Sequence, residues 1–259
     1  MKKFDDFTAI ILAAGQGTRL RPYTDDKPKC MVKVKHKSLL EWQIETLLDT
    51  GISRIIVVTG YRDDKIDTAG IIKVHNDDFK STNMVYSLMC AQEYLKGDVV
   101  IAYGDIIYSK MVLKKILNNE NDIVIAADEQ WKQYWQKRNE DPLTDAETFL
   151  KGKDRTVLSL GDKPKNLNQI ESQYIGLTRL SNKGCEKIKS IYKKEFDKPN
   201  ATSDAWHSGR NLKNTYMTDL LNYVAETDKL HYEPINRSWL EIDTPNDLKI
   251  AHKEIETVL

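Results

Sequence analysis

Two glycines and an alanine pair are packed into the start of Leu12-Ala13-Ala14-Gly15-Gln16-Gly17-Thr18-Arg19-Leu20-Arg21-Pro22, directly after the apolar run Ala9-Ile10-Ile11. Glycine lets a backbone come close to a ligand, and N–H groups exposed at a turn or helix start bind phosphate oxygens. Leu12, Ala13, Ala14, Gly15, Gly17 and Thr18 are therefore candidate phosphate-cradle positions, with fixed positive charge from Arg19 and from Lys29 of the later Pro28-Lys29 pair. The pattern is neither of the common phosphate loops. It lacks the Gly-Lys-Ser/Thr ending of one and the third glycine of the other. From these residues alone, a structural bend with a surface arginine is the competing reading.

Such a loop has to be positioned by a strand and its sheet. Residues 8–13, 54–59, 71–75, 98–102 and 122–127 are short β-branched runs bounded by Gly, Asp or Asn, as expected of strands buried on both faces. Helices fit between them. Ser38-Leu-Leu-Glu41 reads as a capping box, Ile44, Leu47 and Leu48 continue an apolar stripe, and Gly51 falls at the helix end. Further helices are predicted over 84–94, over 109–117 and from 245 to about 256, the last opened by Thr244-Pro245-Asn246-Asp247. Additional strands fit 155–160 and 173–180. The order predicts an α/β fold, a Rossmann-like open and mostly parallel sheet with helices on both faces, whose ligands bind at the carboxyl ends of the strands. The chain reads as one domain over 1–259. Segments 128–161, aromatic and charged together, and 197–214, a long polar loop, are expected to be acceptor-side or lid insertions rather than core.

Totals narrow the class further. The chain has 259 residues, 39 basic and 39 acidic, so a nucleic-acid partner or an anionic membrane surface is not expected. Cys30, Cys90 and Cys185 are odd in number and far apart, which argues for reduced thiols and against a disulfide framework or a metal cluster. Met1-Lys2-Lys3 precedes no long apolar stretch, and no run approaches the roughly eighteen apolar residues of a membrane span, so a cytoplasmic protein is expected. A homo-oligomer is compatible with all of this.

The glycine stretch followed by Pro28-Lys29 resembles the signature of the sugar-nucleotidyltransferase-like superfamily. Matching order continues with Gly60-Tyr61, Asn83 and Ser87-Leu88, Tyr103-Gly104-Asp105, Tyr174-Ile175-Gly176-Leu177 and Trp239-Leu240-Glu241-Ile242-Asp243-Thr244, covering nearly the whole chain. The resemblance implies an enzyme that joins a nucleoside triphosphate to a phosphorylated small molecule and releases pyrophosphate. It implies Arg19 and Lys29 as catalytic groups on the phosphates, Ser87 and Gly104 beside the nucleotide, and Asp105 and Asp243 as ligands of a Mg²⁺ cofactor. Physical chemistry agrees, because uniting two anions requires positioning and charge neutralisation, and Mg²⁺ takes one or two carboxylates plus substrate phosphates. Taken singly, each aspartate also reads as a strand-end turn or cap residue.

Pro28-Lys29-Cys30-Met31 and Ser81-Thr82-Asn83-Met84-Val85-Tyr86-Ser87-Leu88 are similar to the branch containing bacterial phosphocholine cytidylyltransferases, which favours CTP. Asn83 offers the donor and acceptor that base recognition needs, or it caps the helix starting at Met84. Lys163 of Leu160-Gly161-Asp162-Lys163-Pro164 matches the acceptor-phosphate lysine of the sugar enzymes, although Asp162 departs from their pattern. Asp128, Trp131, Asp145, Glu147 and Glu171 suit an amine or quaternary ammonium, and Arg138 suits an acceptor carboxylate. Phosphocholine, 2-aminoethylphosphonate and a phosphorylated amino acid or its amide, such as phosphoglutamine, fit this set; the tryptophans equally fit a dimer interface or a helix at the sheet edge. His207 is read as a packing residue and Asp219 as a first-turn helix charge. The rivals are a hexose-1-phosphate uridylyl- or thymidylyltransferase and a non-catalytic nucleotide-sensing module.

Overall fold

Alternation of side chains along buried strands divides the apolar residues of this chain between two faces of one sheet. In the computed structural model, which describes residues 4–259 and so leaves the lysines at 2 and 3 outside the described residues, the chain runs as follows. It passes through β1 (Thr8–Leu12), β2 (Lys33–Val34), β3 (Lys37–Ser38), α1 (Leu39–Thr50), β4 (Arg54–Thr59), β5 (Ile71–His75) and α2 (Met84–Cys90). It continues through β6 (Val99–Tyr103), β7 (Ile106–Tyr108), α3 (Lys110–Leu117), β8 (Ile123–Asp128), α4 (Trp131–Arg138), β9 (Phe149–Lys151) and β10 (Val157–Leu160). It ends with β11 (Gln173–Leu180), α5 (Asn182–Phe196), α6 (Met217–Thr227), β12 (His231–Ile235), β13 (Trp239–Glu241) and α7 (Pro245–Val258).

The main sheet has the order β12-β8-β11-β6-β1-β4-β5. Ala9, Ile11, Ile55 and Val57 face the core under α1, α3, α4 and α7, whereas Ile10, Leu12, Ile56 and Val58 face the core under α2, α5 and α6. The Ser38–Glu41 and Thr244–Asp247 capping boxes both form, and Gly51 ends α1 at φ 101°, where only glycine sits without strain. All neighbours in the sheet are parallel except β11, which is antiparallel to both β6 and β8. Its first residue, Gln173, pairs with Asp128 at the end of β8, so the segment between them leaves and returns at the same edge of the sheet. That edge is the carboxyl one, and the excursion becomes a wall over it.

Part of the excursion is core, which corrects the expectation for its aromatic stretch. Trp131, Tyr134 and Trp135 of α4 are buried, and Tyr134 meets Trp239 edge-to-face with ring centroids 5.5 Å apart. Four residues expected at the acceptor are placed elsewhere. Asp128 is fully buried and accepts hydrogen bonds from Trp239 Nε1 (2.8 Å), Arg237 Nη1 (3.1 Å) and the Gln130 and Arg237 amides. Trp131 packs on Trp135. Arg138 is buried against Tyr134 and Trp135 and donates to Asp247 Oδ1 (2.8 Å) and Glu241 Oε2 (2.5 Å), tying α4 to α7. Glu171 is exposed and accepts from the Lys151 amide. Buried charges need partners, and Asp128 and Arg138 find theirs inside the protein rather than in a ligand.

Asp128→Ala strands Arg237 and the Trp239 indole, and is expected to cost about 3–5 kcal/mol in urea unfolding. The folded variant is expected to keep its acceptor affinity, and a raised acceptor KM with unchanged stability would return Asp128 to the site.

Candidate functional site

The loop after β1 is held open by backbone contacts with its two neighbours. The Ala13 amide donates to Val58 O, the Tyr61 amide to Ala14 O and the Gly104 amide to Leu12 O, at 2.9–3.0 Å. A Cβ on Gly104 would lie 2.8 Å from Leu12 O, and one on Gly17, at φ 64°, would lie 2.9 Å from the Lys29 Cβ. Both glycines are thus required by close approach. The loop borders a cavity of about 270 Å³ that is lined by all nine expected nucleotide positions: Leu12, Ala13, Ala14, Gly15, Gly17, Thr18, Asn83, Ser87 and Gly104. Asn83 also caps α2, its Oδ1 accepting from the Met84 amide, as its cap reading expects. Sequence reasoning missed Phe79, which lines this cavity, and Asn76, which is fully buried and donates through Nδ2 to Ser87 Oγ (3.0 Å) and Thr82 Oγ1 (3.1 Å). The available signal was an asparagine directly after the β5 run.

Four charged residues of this cavity's lining, Arg19, Lys29, Asp105 and Asp243, converge. Lys29 Nζ donates to Asp105 Oδ2 (2.8 Å) and to Asp243 Oδ1, while Arg19 pairs with Asp243 and reaches Asp145 Oδ1 at 3.4 Å. The aspartates are brought side by side by a short antiparallel ladder in which β7 pairs with β13 and the Ile242 amide donates to Asp105 O. The Asp243 amide donates in turn to Asp247 Oδ2 (3.1 Å), so the chain of contacts Arg138–Asp247–Asp243 links the buried ion cluster to the site. Burial opposes the charge on Lys29, but Asp105 and Asp243 outweigh it and hold the ammonium firmly protonated. Burial likewise pushes Asp243 up, and Lys29 with Arg19 pulls it below the usual carboxylate range.

The pair also fits a hard divalent cation. Asp105 Oδ1 is a buried oxygen without a hydrogen-bond partner among the described residues, beside a second carboxylate already turned toward positive charge. Among the described residues no group of three or more possible ligands occurs. Two carboxylates completed by phosphate oxygens is a coordination Mg²⁺ accepts.

A second cavity of about 660 Å³ adjoins the first and shares Thr18, Arg19, Met84, Tyr103 and Asp105 with it. Three expected acceptor residues, Asp145, Glu147 and Lys163, line it. Lys163 is already engaged: Nζ donates to Thr144 O (2.7 Å) and to Leu143 O, fastening its loop to the turn that carries Asp145. Glu147 is partly buried, and burial together with Glu241, Asp145 and Asp219 pushes its carboxyl up to about 8, with Arg210 pulling the other way. Burial also pushes Glu241 up, to about 7, against the pull of Arg138. Gln173, Arg210, Tyr216 and Glu241 line the cavity and were missed. Arg210 lies in the 197–214 loop, which α2 holds through the Asn83 amide to Lys213 O (2.8 Å). His207 packs beside Trp206 and Tyr223 and contacts Asn222, away from both cavities, and Asp219 accepts from the Tyr216 amide at the start of α6, both as expected.

A mostly parallel α/β sheet with a glycine loop at its carboxyl edge, opening through an aspartate–lysine cluster onto a second cavity, is the architecture of a nucleotidyltransferase. Residues 9–164 match the MobA-like NTP transferase domain, and the chain belongs to that family. It is 36% identical over 256 residues to the CTP:phosphoglutamine cytidylyltransferase of Campylobacter jejuni subsp. jejuni serotype O:2, covering 93% of this chain and 98% of that one. It is 42% identical over 107 residues to a choline-phosphate cytidylyltransferase of Streptococcus pneumoniae, covering 40% of this chain and 47% of that one. Among solved structures, the CTP:phosphocholine cytidylyltransferase from Streptococcus pneumoniae matches with a TM-score of 0.73 at 24% identity, over 96% of this chain and 99% of that one. The inositol-1-phosphate CTP transferase from T. maritima matches with a TM-score of 0.73 at 19% identity, over 100% and 98%. Both likenesses support the expected Rossmann-like fold.

The Glu147 shift gives a pH test. With its carboxyl raised in the folded chain, the native state retains a proton that the unfolded state releases between about pH 4.5 and 8, so wild-type stability falls as pH rises through that window. Glu147→Gln carries no such dependence. Its stability relative to wild type is expected to rise by about 1–2 kcal/mol from pH 5 to pH 8.5, a figure reduced for partial solvent access. A thermal-melt difference that stays flat with pH would remove the shift.

Proposed function

We propose that the protein is a CTP-dependent cytidylyltransferase that condenses CTP with a small phosphorylated zwitterion, giving a CDP-linked product and pyrophosphate. The observation that carries this reading is the junction of the two cavities at Arg19 and Asp105, where a triphosphate from one side and an acceptor phosphate from the other would meet. An acceptor phosphate oxygen attacks the α-phosphorus of CTP, the bond to the β-phosphate oxygen breaks, and pyrophosphate leaves with that electron pair. Arg19 and Lys29 offset the charge that accumulates as two anions approach, and no side-chain nucleophile is needed. Asp105 and Asp243 would hold Mg²⁺, which when bound supplies further neutralisation of the phosphate oxygens. Asn83 and Ser87 stand on the nucleotide side as candidates for base and ribose contacts.

The names of the relatives support CTP and a phosphorylated acceptor, and the relative that spans this chain almost completely points toward a phosphorylated amino acid amide. Asp145 and Glu147 are the groups we assign to the acceptor's ammonium. A cytoplasmic setting, where CTP is available, belongs to the same reading; no helix among the described residues is long and apolar enough to cross a membrane.

Pyrophosphate release is the direct test, using CTP, UTP, dTTP, ATP and GTP with Mg²⁺ against phosphoglutamine, phosphocholine, 2-aminoethylphosphonate and hexose 1-phosphates. Turnover with CTP and a zwitterion is expected; turnover only with UTP or dTTP and a sugar phosphate would replace this reading with the sugar-enzyme one. Asp105→Asn is expected to lower kcat by about 10²–10³-fold while nucleotide affinity without metal is retained, and near-normal turnover would remove the metal assignment.

A further inference from the structure

The 197–214 loop places a cation in the acceptor cavity that the reaction chemistry does not use. Arg210 Nη1 donates to Asp219 Oδ1 (3.0 Å) and Oδ2 (3.3 Å), and its guanidinium carbon lies 4.2 Å from the centroid of the Tyr216 ring. Asp219 is itself fixed. Its side chain is 2% exposed, and its Oδ2 also accepts from the Tyr216 amide (2.8 Å) at the start of α6. Arg210 is therefore held at one nitrogen by a buried anion and on one face by an aromatic ring, while its backbone carbonyl accepts from the Trp206 amide (2.7 Å). Nε and Nη2 have no hydrogen-bond partner among the described residues, and the side chain is 39% exposed where it lines the cavity.

The geometry points to Arg210 as a specificity-determining residue that receives a carboxylate on the acceptor, making the preferred acceptor an amino-acid derivative rather than a choline- or sugar-type phosphate. This rests on the transferase reading above and narrows its acceptor. A pinned guanidinium with two donors free presents the fork that matches a carboxylate in its plane. Glu147 lines the same cavity. With Asp145 on the same lining, the cavity carries acidic groups and a cation, the complement of an ammonium and a carboxylate on one small molecule. The acceptor phosphate is expected at the other end, where Arg19 marks the junction with the nucleotide cavity. Arg138, which the sequence suggested for the carboxylate, is unavailable, because Asp247 and Glu241 already occupy its donors inside the core.

The test compares phosphoglutamine with its decarboxylated analogue, with CTP and Mg²⁺, in wild type, Arg210→Ala and Arg210→Lys. A charge-assisted hydrogen-bonding pair lost on one side only changes affinity by about 10- to 150-fold. Wild type is expected to prefer phosphoglutamine over the analogue by about that factor in kcat/KM, and Arg210→Ala to bring the two within about threefold. Arg210→Lys, which keeps the charge and loses the fork, is expected to fall between them and stands in should the alanine variant not fold. The effect should lie in the KM of the acceptor and not in that of CTP. Equal losses with both acceptors would mean that Arg210 touches the phosphate or only shapes the loop, and a wild type that does not distinguish the two also overturns the proposal. The two readings fail separately. CTP turnover as efficient with an acceptor that lacks a carboxylate as with phosphoglutamine sinks the Arg210 assignment alone, whereas absence of CTP turnover with every acceptor sinks the cytidylyltransferase. In the latter case, phosphoglutamine binding followed by calorimetry in wild type and Arg210→Ala still decides the role of Arg210.

Discussion

Two ionised carboxylates brought together at the edge of a protein interior repel unless a cation or a shared proton offsets them, and the site depends on Lys29 meeting that condition for Asp105 and Asp243. The requirement spreads outward. Gly17 must lack a side chain because the Lys29 stem fills that space. The β7–β13 ladder must keep its register because a slip would separate the aspartates. Behind it, Asp247 holds the backbone of Asp243, and Arg138 holds Asp247, so residues with no exposure to a ligand still set where a functional carboxylate points.

The second constraint is topological. Because the chain returns to the sheet at the edge from which it left, β11 runs against its neighbours and the excursion before it becomes a wall. The same excursion supplies the Asp145 and Glu147 side chains of the second cavity on one stretch and the aromatic α4 of the core on another. One segment thus serves both the core and the lining of the second cavity, and the division falls between residues only a few positions apart.

Charge is distributed accordingly. Cations concentrate at Arg19 and Lys29 in the lining of the first cavity, whereas the second cavity carries the acidic Asp145, Glu147 and Glu241 together with Arg210, which Asp219 anchors.

Much of the fold was legible in the sequence, because its signals are local. β-Branched runs bounded by Gly and Asp, the Ser38–Glu41 and Thr244–Asp247 caps and the glycine stretch each act through neighbours in the chain, and the strands at Arg54–Thr59, Ile71–His75 and Gln173–Leu180 fall where those patterns end. The nine positions that line the first cavity were legible for the same reason: loops at strand ends are specified by short motifs. The acceptor side was not. Asp128, Trp131, Arg138 and Glu171 have the same residue types as a binding site, and only long-range packing reveals that Arg237, Trp135, Asp247 and Lys151 had already satisfied them. Arg210 shows the converse, an unremarked loop residue that becomes a candidate contact because Asp219 and Tyr216, from the next helix, hold it toward the cavity. The sequence by itself determined which elements form and which charges exist; the tertiary structure decided which of those charges remain free, since a partner distant in the chain carries no local signal of its proximity.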